Sequence, residues 1–207
     1  MNIYDVSNKA GVSIATVSRV LNGNARVSLA TRKKVLDAMK ELDYTPNVFA
    51  RGLGLNTMKT IGIMCIDSSD IYLANAVYYL EQELRKHSYD SILCCTGKDY
   101  TNKKKYLELL LSKRVDGIIL AGSQFVENTD TYNNDYIINA AKDIPIVLVN
   151  GYLDAPNIYS VMCNDEIAIY NATNLLINNG HRNIVYLYTS KSYSGMNKYA
   201  GYMRALK

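Results

Sequence analysis

A change of texture at Thr60 restricts the fold more than any other feature of the chain. Beyond it, short apolar runs alternate with amphipathic stretches whose apolar residues recur at helical spacing. The runs are TIGIMCI (60–66), SILCC (91–95), GIILAG (117–122), IPIVLV (144–149), YSVMC (159–163) and NIVYLYT (183–189). Between them lie helical patterns carried by Val77, Leu80 and Leu84; by Leu107, Leu110 and Leu111; by Ile137, Ile138 and Ala141; and by Ile169, Thr173 and Leu176. Strands separated by crossover helices are the pattern of a parallel sheet, so residues 59–207 are expected to form a doubly wound α/β layout. Such sheets bind ligands beyond the carboxyl ends of their strands.

The first 45 residues carry no convincing strand and read as three short helices around one small core. Ile3 to Ala10 is the first, with Val6 and Ala10 on one face, and it stops at Gly11, which can take the positive φ of a tight turn. Ser13 is a suitable N-cap for a second helix over 14–21, whose Val17, Val20 and Leu21 follow the i, i+3, i+4 spacing. Asn22-Gly23 ends it. Ser28 caps a third helix with Val35, Met39 and Leu42 as its buried stripe. Thr45-Pro46 breaks the pattern, because the residue before a proline is pushed out of helical geometry. NVFARGLGLN (47–56) follows, too short and too glycine-rich to be more than a marginal helix on its own.

Charge divides along the same boundary. Residues 1–58 hold eight basic and four acidic side chains, and 59–207 hold fifteen of each, so the whole net charge of +4 sits in the N-terminal quarter. Positive charge concentrated on one small helical unit points to a polyanion, and so to nucleic acid. The apolar runs, such as 118–121 and 144–149, are far shorter than the roughly 20 residues of a membrane-spanning helix. No secretion signal is legible at the N-terminus, so a cytoplasmic, nucleoid-associated location is expected. Cys65, Cys94, Cys95 and Cys163 lie in apolar stretches without a CxxC pair, and are expected to be small buried hydrophobes in a reducing compartment. Nothing in the sequence pairs His87 or His181 with a nucleophile or ligand. No cofactor or metal is implied.

The strongest chemical signal is the helix, tight turn, helix unit over 3–21. In this arrangement the second helix enters the major groove and its first residues meet base edges. Ile14 and Ala15 occupy the exposed start, where apolar groups can meet a thymine methyl. Discrimination then falls on Arg19, whose guanidinium can grip guanine O6 and N7. Ser13, Thr16, Ser18, Asn22 and Ser28 are small hydrogen-bonding residues suited to phosphate contacts. A ligand-binding module with a vestigial headpiece is the first alternative. An enzyme is the second, but no G-x-G-x-x-G turn, P-loop, nucleophile elbow or paired-carboxylate motif supports it, and no enzyme is expected.

Residues 3–53, IYDVSNKAGVSIATVSRVLNGNARVSLATRKKVLDAMKELDYTPNVFARGL, closely resemble the DNA-binding headpiece of the lactose-repressor and galactose-repressor family, nearest its catabolite control branch. The resemblance continues through TIGIMCIDSS, KRVDGIIL (113–120), NNGHRNIVYLY (178–188) and AGYMRAL (200–206), and so covers nearly the whole chain. It implies a helix-turn-helix headpiece over 1–46, a hinge over 47–58, a first effector-core lobe over 59–162 and the start of a second over 163–207. That core would be an incomplete domain of periplasmic-binding-protein type, because family members are longer. It further implies that Leu53, with Ala50 and Arg51 beside it, wedges into the minor groove at the operator centre. An apolar wedge of this kind trades base unstacking for a DNA bend that reaches more protein surface. Dimerisation through the face near Ile71 to Glu83 is also implied. Ser69, Asp70, Tyr72, Asn150 and Lys198 fall at the positions that line the family's effector cleft. Lys198 stands where sugar-binding members carry arginine, and lysine lacks the planar fork that grips a diol. The expected partners are therefore operator DNA, a second copy of the chain, and either a small-molecule effector or a phosphocarrier-type protein corepressor.

Overall fold

The structure is a computed structural model and describes residues 1–23, 25–45, 57–126, 134–188 and 191–207. It divides into two compact units, Met1–Met58 and Lys59–Lys207.

The first unit is three helices: α1 (Ile3–Ala10), α2 (Ile14–Leu21) and α3 (Leu29–Glu41). Each begins at a side chain that satisfies amide groups the helix leaves unpaired. Asn2 accepts from the Tyr4 and Asp5 amides while the Asp5 carboxylate takes the Asn2 amide in return, Ser13 accepts from the Thr16 amide, and Ser28 from that of Thr31. Gly11 closes α1 at φ 65°, the left-handed conformation that glycine adopts without strain. The core is Val6, Val17, Val20, Val35 and Ala38, with Met39, Leu42 and Tyr44 packed against it only in part. The stripe on α3 is thus centred on Val35 and Ala38, one turn earlier than Met39 and Leu42 suggest. The hinge segment at 47–56, including Ala50, Arg51 and Leu53, lies outside the described residues.

The second unit is built on β1 (Thr60–Cys65), β2 (Asp90–Cys95), β3 (Gly117–Ala121), β4 (Ile146–Val149) and β5 (Ile158–Val161), all parallel in the order β2-β1-β3-β4-β5. Helices α4 (Ile71–Lys86), α5 (Tyr100–Ser112) and α6 (Asp135–Ala141) join the first four strands, and α7 (Asp165–Asn178) and α8 (Tyr193–Ala205) follow the fifth. Alternation along each strand separates two faces. Met64, Ile118, Leu120, Ile146 and Leu148 meet Leu107 and Leu110 of α5 and Ile137 of α6 in the main core. A Cβ on Gly62 would stand 2.7 Å from Leu110 Cδ1, so glycine there lets α5 seat closely on the sheet. The opposite face carries α4, which has no fully buried residue: Val77, Leu80 and Leu84 are half-buried. Beside it, Ile119, Val147, Val149 and Val161 line an apolar groove of 470 Å³.

Five of the six expected strands form. The sixth, 183–189, makes no ladder over its described residues 183–188. Its two-residue alternation survives: Tyr186 stacks on Tyr202 of α8 and Tyr188 packs at a tilt against Tyr199, while Val185 and Leu187 are 81% and 87% exposed. The side chains sort as in a strand, but a strand also needs a neighbouring backbone, and none pairs with it among the described residues. Leu176, expected on the buried stripe of α7, is exposed for a related reason, since α7 packs chiefly on α8 and buries only Thr173 fully.

Candidate nucleic-acid interface and ligand cleft

On α2 the positions Ala15, Ser18, Arg19 and Asn22 recur at i, i+3, i+4 and i+7, and so form one stripe opposite the buried Val17 and Val20. Ser13, Ile14, Ala15, Arg19 and Asn22 are exposed, and Thr16 and Ser18 half-exposed. The serine caps are tied up locally. Ser13 Oγ lies 2.9 Å from Thr16 Oγ1, and Ser28 Oγ 2.9 Å from Thr31 Oγ1. Each pair sets two hydroxyls at the positive end of a helix, where unpaired amides favour an anion. The stripe itself presents a small methyl, a hydroxyl, a guanidinium and an amide, the groups able to read or hold DNA. Lys9 pairs with Glu41 at 2.8 Å, joining α1 to the end of α3, and the exposure of both groups makes this a weak tie.

In the second unit a cleft of 230 Å³ opens beyond the carboxyl ends of β1, β3 and β4, where parallel sheets place their ligand sites. Asp70, Tyr72, Asn150 and Lys198, drawn from three separate stretches of sequence, line it together. Asp70 caps α4, accepting from the Leu73 amide at 2.9 Å. Asn150 follows β4 in left-handed geometry at φ 60° and donates from Nδ2 to the Tyr72 hydroxyl at 2.7 Å. Asparagine tolerates that conformation better than most residues. Ser69 does not line the cleft. Its amide and hydroxyl both donate to Asp67 Oδ1, at 2.8 and 2.7 Å, and these bonds hold the Asp67 carboxyl below the usual carboxylate range.

Further lining groups escaped the sequence reading: Ser123 and Gln124 from a 3-10 turn after β3, and Ser194 from α8. The turn is held from beneath. Buried Lys103 donates from Nζ to the Gln124 carbonyl at 2.7 Å, and the Tyr136 hydroxyl donates to the Phe125 carbonyl at 3.2 Å. Across the cleft, Ser123 Oγ donates to Ser192 Oγ at 3.0 Å. Asp165 of α7 receives the Ser194 hydroxyl and lies 3.6 Å from Lys198 Nζ, so the cationic group in this wall is already neutralised. The nearby Tyr186 phenol is pushed up by burial and, secondarily, by the Asp165 charge. Nothing in the sequence pattern flags Lys103 or Asp165, because each acts through a partner distant in the chain.

Residues 2–47 match the bacterial regulatory proteins of the lacI family. Residues 58–207 match the periplasmic binding proteins and sugar binding domain of LacI family. This chain belongs to the LacI family. A HTH-type transcriptional regulator of Lachnoclostridium phytofermentans is 65% identical over 206 residues, covering 100% of this LacI-family chain and 62% of that protein. Catabolite control protein A of Priestia megaterium is 34% identical over 209 residues, covering 100% and 61%. The solved lac repressor dimer bound to operator and the anti-inducer ONPF superposes with a TM-score of 0.83 at 26% identity, covering 100% of this chain and 61% of that one. The chain thus spans about 60% of the length of these relatives.

One expectation needs correction. Cys65 and Cys94 are buried, but Cys95 and Cys163 are exposed. Cys95 ends β2, and two-residue alternation turns it to the face opposite Cys94, the face that carries α4. His87 lies 3.4 Å from the Glu83 carboxylate one helical turn away. No helix among the described residues is long and apolar enough to cross a membrane.

Proposed function

We propose that this chain acts as a sequence-specific DNA-binding regulator that holds a pseudo-palindromic operator as a homodimer and represses genes of carbohydrate or carbon metabolism. The observation that carries the reading is the outward stripe of Ala15, Ser18, Arg19 and Asn22 on a capped helix, in the unit that holds all the excess positive charge. Arg19 reads a guanine, Ile14 and Ala15 meet thymine methyls, and Ser13, Thr16, Ser18, Asn22 and Ser28 hold phosphates. Ala50, Arg51 and Leu53 supply the minor-groove contact at the operator centre. The exposed α4 face, with Ile71, Tyr78 and Tyr79 in solvent, is the proposed dimer surface. Two headpieces held together then engage successive half-sites. The likeness to a lac repressor solved on operator supports this arrangement.

The cleft is the proposed effector site. Its lining supplies hydroxyls and amides around a lysine already paired with Asp165, a chemistry suited to a neutral polyhydroxylated ligand. A phosphocarrier-type corepressor would act instead at the outer surface of the same unit. The test is operator selection from random DNA at about 150 mM salt, because phosphate-driven binding at lower salt masks discrimination. One palindrome should emerge, and Arg19→Ala should abolish the preference at one base pair per half-site, a loss of about 1–3 kcal/mol. Equal, steeply salt-dependent binding to every probe would overturn the reading.

A further inference from the structure

Cys65 and Cys95 close β1 and β2 and are register partners across the two strands. Neighbouring strands run about 4.8 Å apart, inside the span of Cα separations that a disulfide bridges. The two sulfurs lie 3.5 Å apart. Both strand ends are held beyond the pair, the Thr96 amide donating to the Cys65 carbonyl at 2.9 Å and the Gly97 amide to that of Ile66 at 3.0 Å. Cys65 is buried and Cys95 is exposed. Cys94, on the opposite face, sits in the main core and cannot substitute for either.

We propose that Cys65 and Cys95 form a peroxide-sensitive dithiol that closes to an intramolecular disulfide across the ends of β1 and β2. The exposed Cys95 sulfur, as thiolate, attacks one peroxide oxygen. An S–O bond forms, the O–O bond breaks, and the departing hydroxide takes a proton to leave as water. The Cys65 sulfur then attacks the sulfenic sulfur. The S–S bond forms, the S–O bond breaks, and the second hydroxide leaves as water with the Cys65 thiol proton. Two thiols and one hydrogen peroxide become one disulfide and two waters, the sulfurs oxidised and the peroxide oxygens reduced. Burial, and next the contact with Cys95, push the Cys65 thiol up to about 12, which assigns first attack to Cys95 and resolution to Cys65. A bridge at an exposed strand end belongs to the labile class that thiols reopen. Because Ile66 and Asp70, just beyond Cys65, line the cleft, the bridge would staple the strand end that carries one cleft wall.

The full chain, reduced and then exposed to a few equivalents of hydrogen peroxide, is denatured, alkylated and analysed by intact mass and fragment-resolved peptide mapping. The free thiols should fall from four to two, so that the intact mass shows two alkyl groups in place of four, with one new link joining Cys65 to Cys95 and full recovery in dithiothreitol. C94S should behave as the parent does, and C95S, which alters an exposed position, should form no bridge. An unchanged thiol count, a Cys94–Cys95 link, a disulfide between chains, or sulfinic Cys95 beside reduced Cys65 would each overturn the proposal.

Discussion

Gly201 offers the sharpest test of how the α7–α8 pair is built. A Cβ there would lie 2.2 Å from the Glu166 carbonyl oxygen and 3.0 Å from the Tyr170 amide nitrogen, where ordinary contact begins at 3.4 Å. Both neighbours are backbone, so no side-chain rotation relieves the clash, and the two helices must part by roughly 1 Å. Two effects oppose each other in Gly201→Ala. Helix propensity favours alanine by about 1 kcal/mol. Overpacking against unyielding backbone costs about 1–3 kcal/mol and sometimes more, and the upper end applies here. The expected net result is a loss of about 2 kcal/mol, which with a urea dependence of about 2 kcal/mol/M lowers the midpoint by about 1 M. Tyrosine fluorescence in urea reads this, since every tyrosine except Tyr4 and Tyr44 lies beyond residue 58. The same variant should disturb the cleft wall, because Ser194 and Lys198 reach Asp165 across this helix pair. An unchanged or raised midpoint would mean that propensity wins and that the close approach is not structural.

Asn150→Gly should leave stability within about 0.5 kcal/mol while Asn150→Ala costs about 1–2 kcal/mol, because alanine is strained at φ 60°; equal urea midpoints would contradict this. Ser13→Ala removes the cap of α2 and should cost the headpiece about 1 kcal/mol, read by helical circular dichroism on heating. In the reduced protein, the Cys65 thiol is held from its ordinary 9.0 up to about 12, so between these values the unfolded chain releases a proton that the folded chain keeps. Stability should therefore fall as pH rises through that window, more steeply for the parent than for Cys65→Ala, and parallel pH profiles from urea unfolding would refute the assignment.

The periodic signals in the sequence translated well where one element meets a partner close in the chain. The caps Ser13 and Ser28 and the boundaries of α2 follow from local rules, since a cap hydroxyl and the amide it serves lie three residues apart. The strands at 60–65 and 117–121 were legible because a strand packed on both faces needs an unbroken apolar run. The same rule overreached at 183–188, where alternation is present and ladder neighbours are not, and at Leu176, where a helical stripe lacks a second surface to cover it.

Sequence alone therefore determined five of the strands and the helices between them, where the positive charge lies, and which face of α2 turns outward, because each is written in the residues of one segment. The tertiary structure decided which residues share a site. Asp70 and Tyr72 meet Asn150 because a parallel sheet brings the ends of distant strands to one edge, and Lys198 joins them from α8. Asp165 neutralises Lys198, Lys103 steadies Gln124 and Cys65 touches Cys95 across gaps in the chain that no local period spans. Spacing repeats within an element, whereas contact between elements depends on the order and register of the strands, which local spacing does not encode.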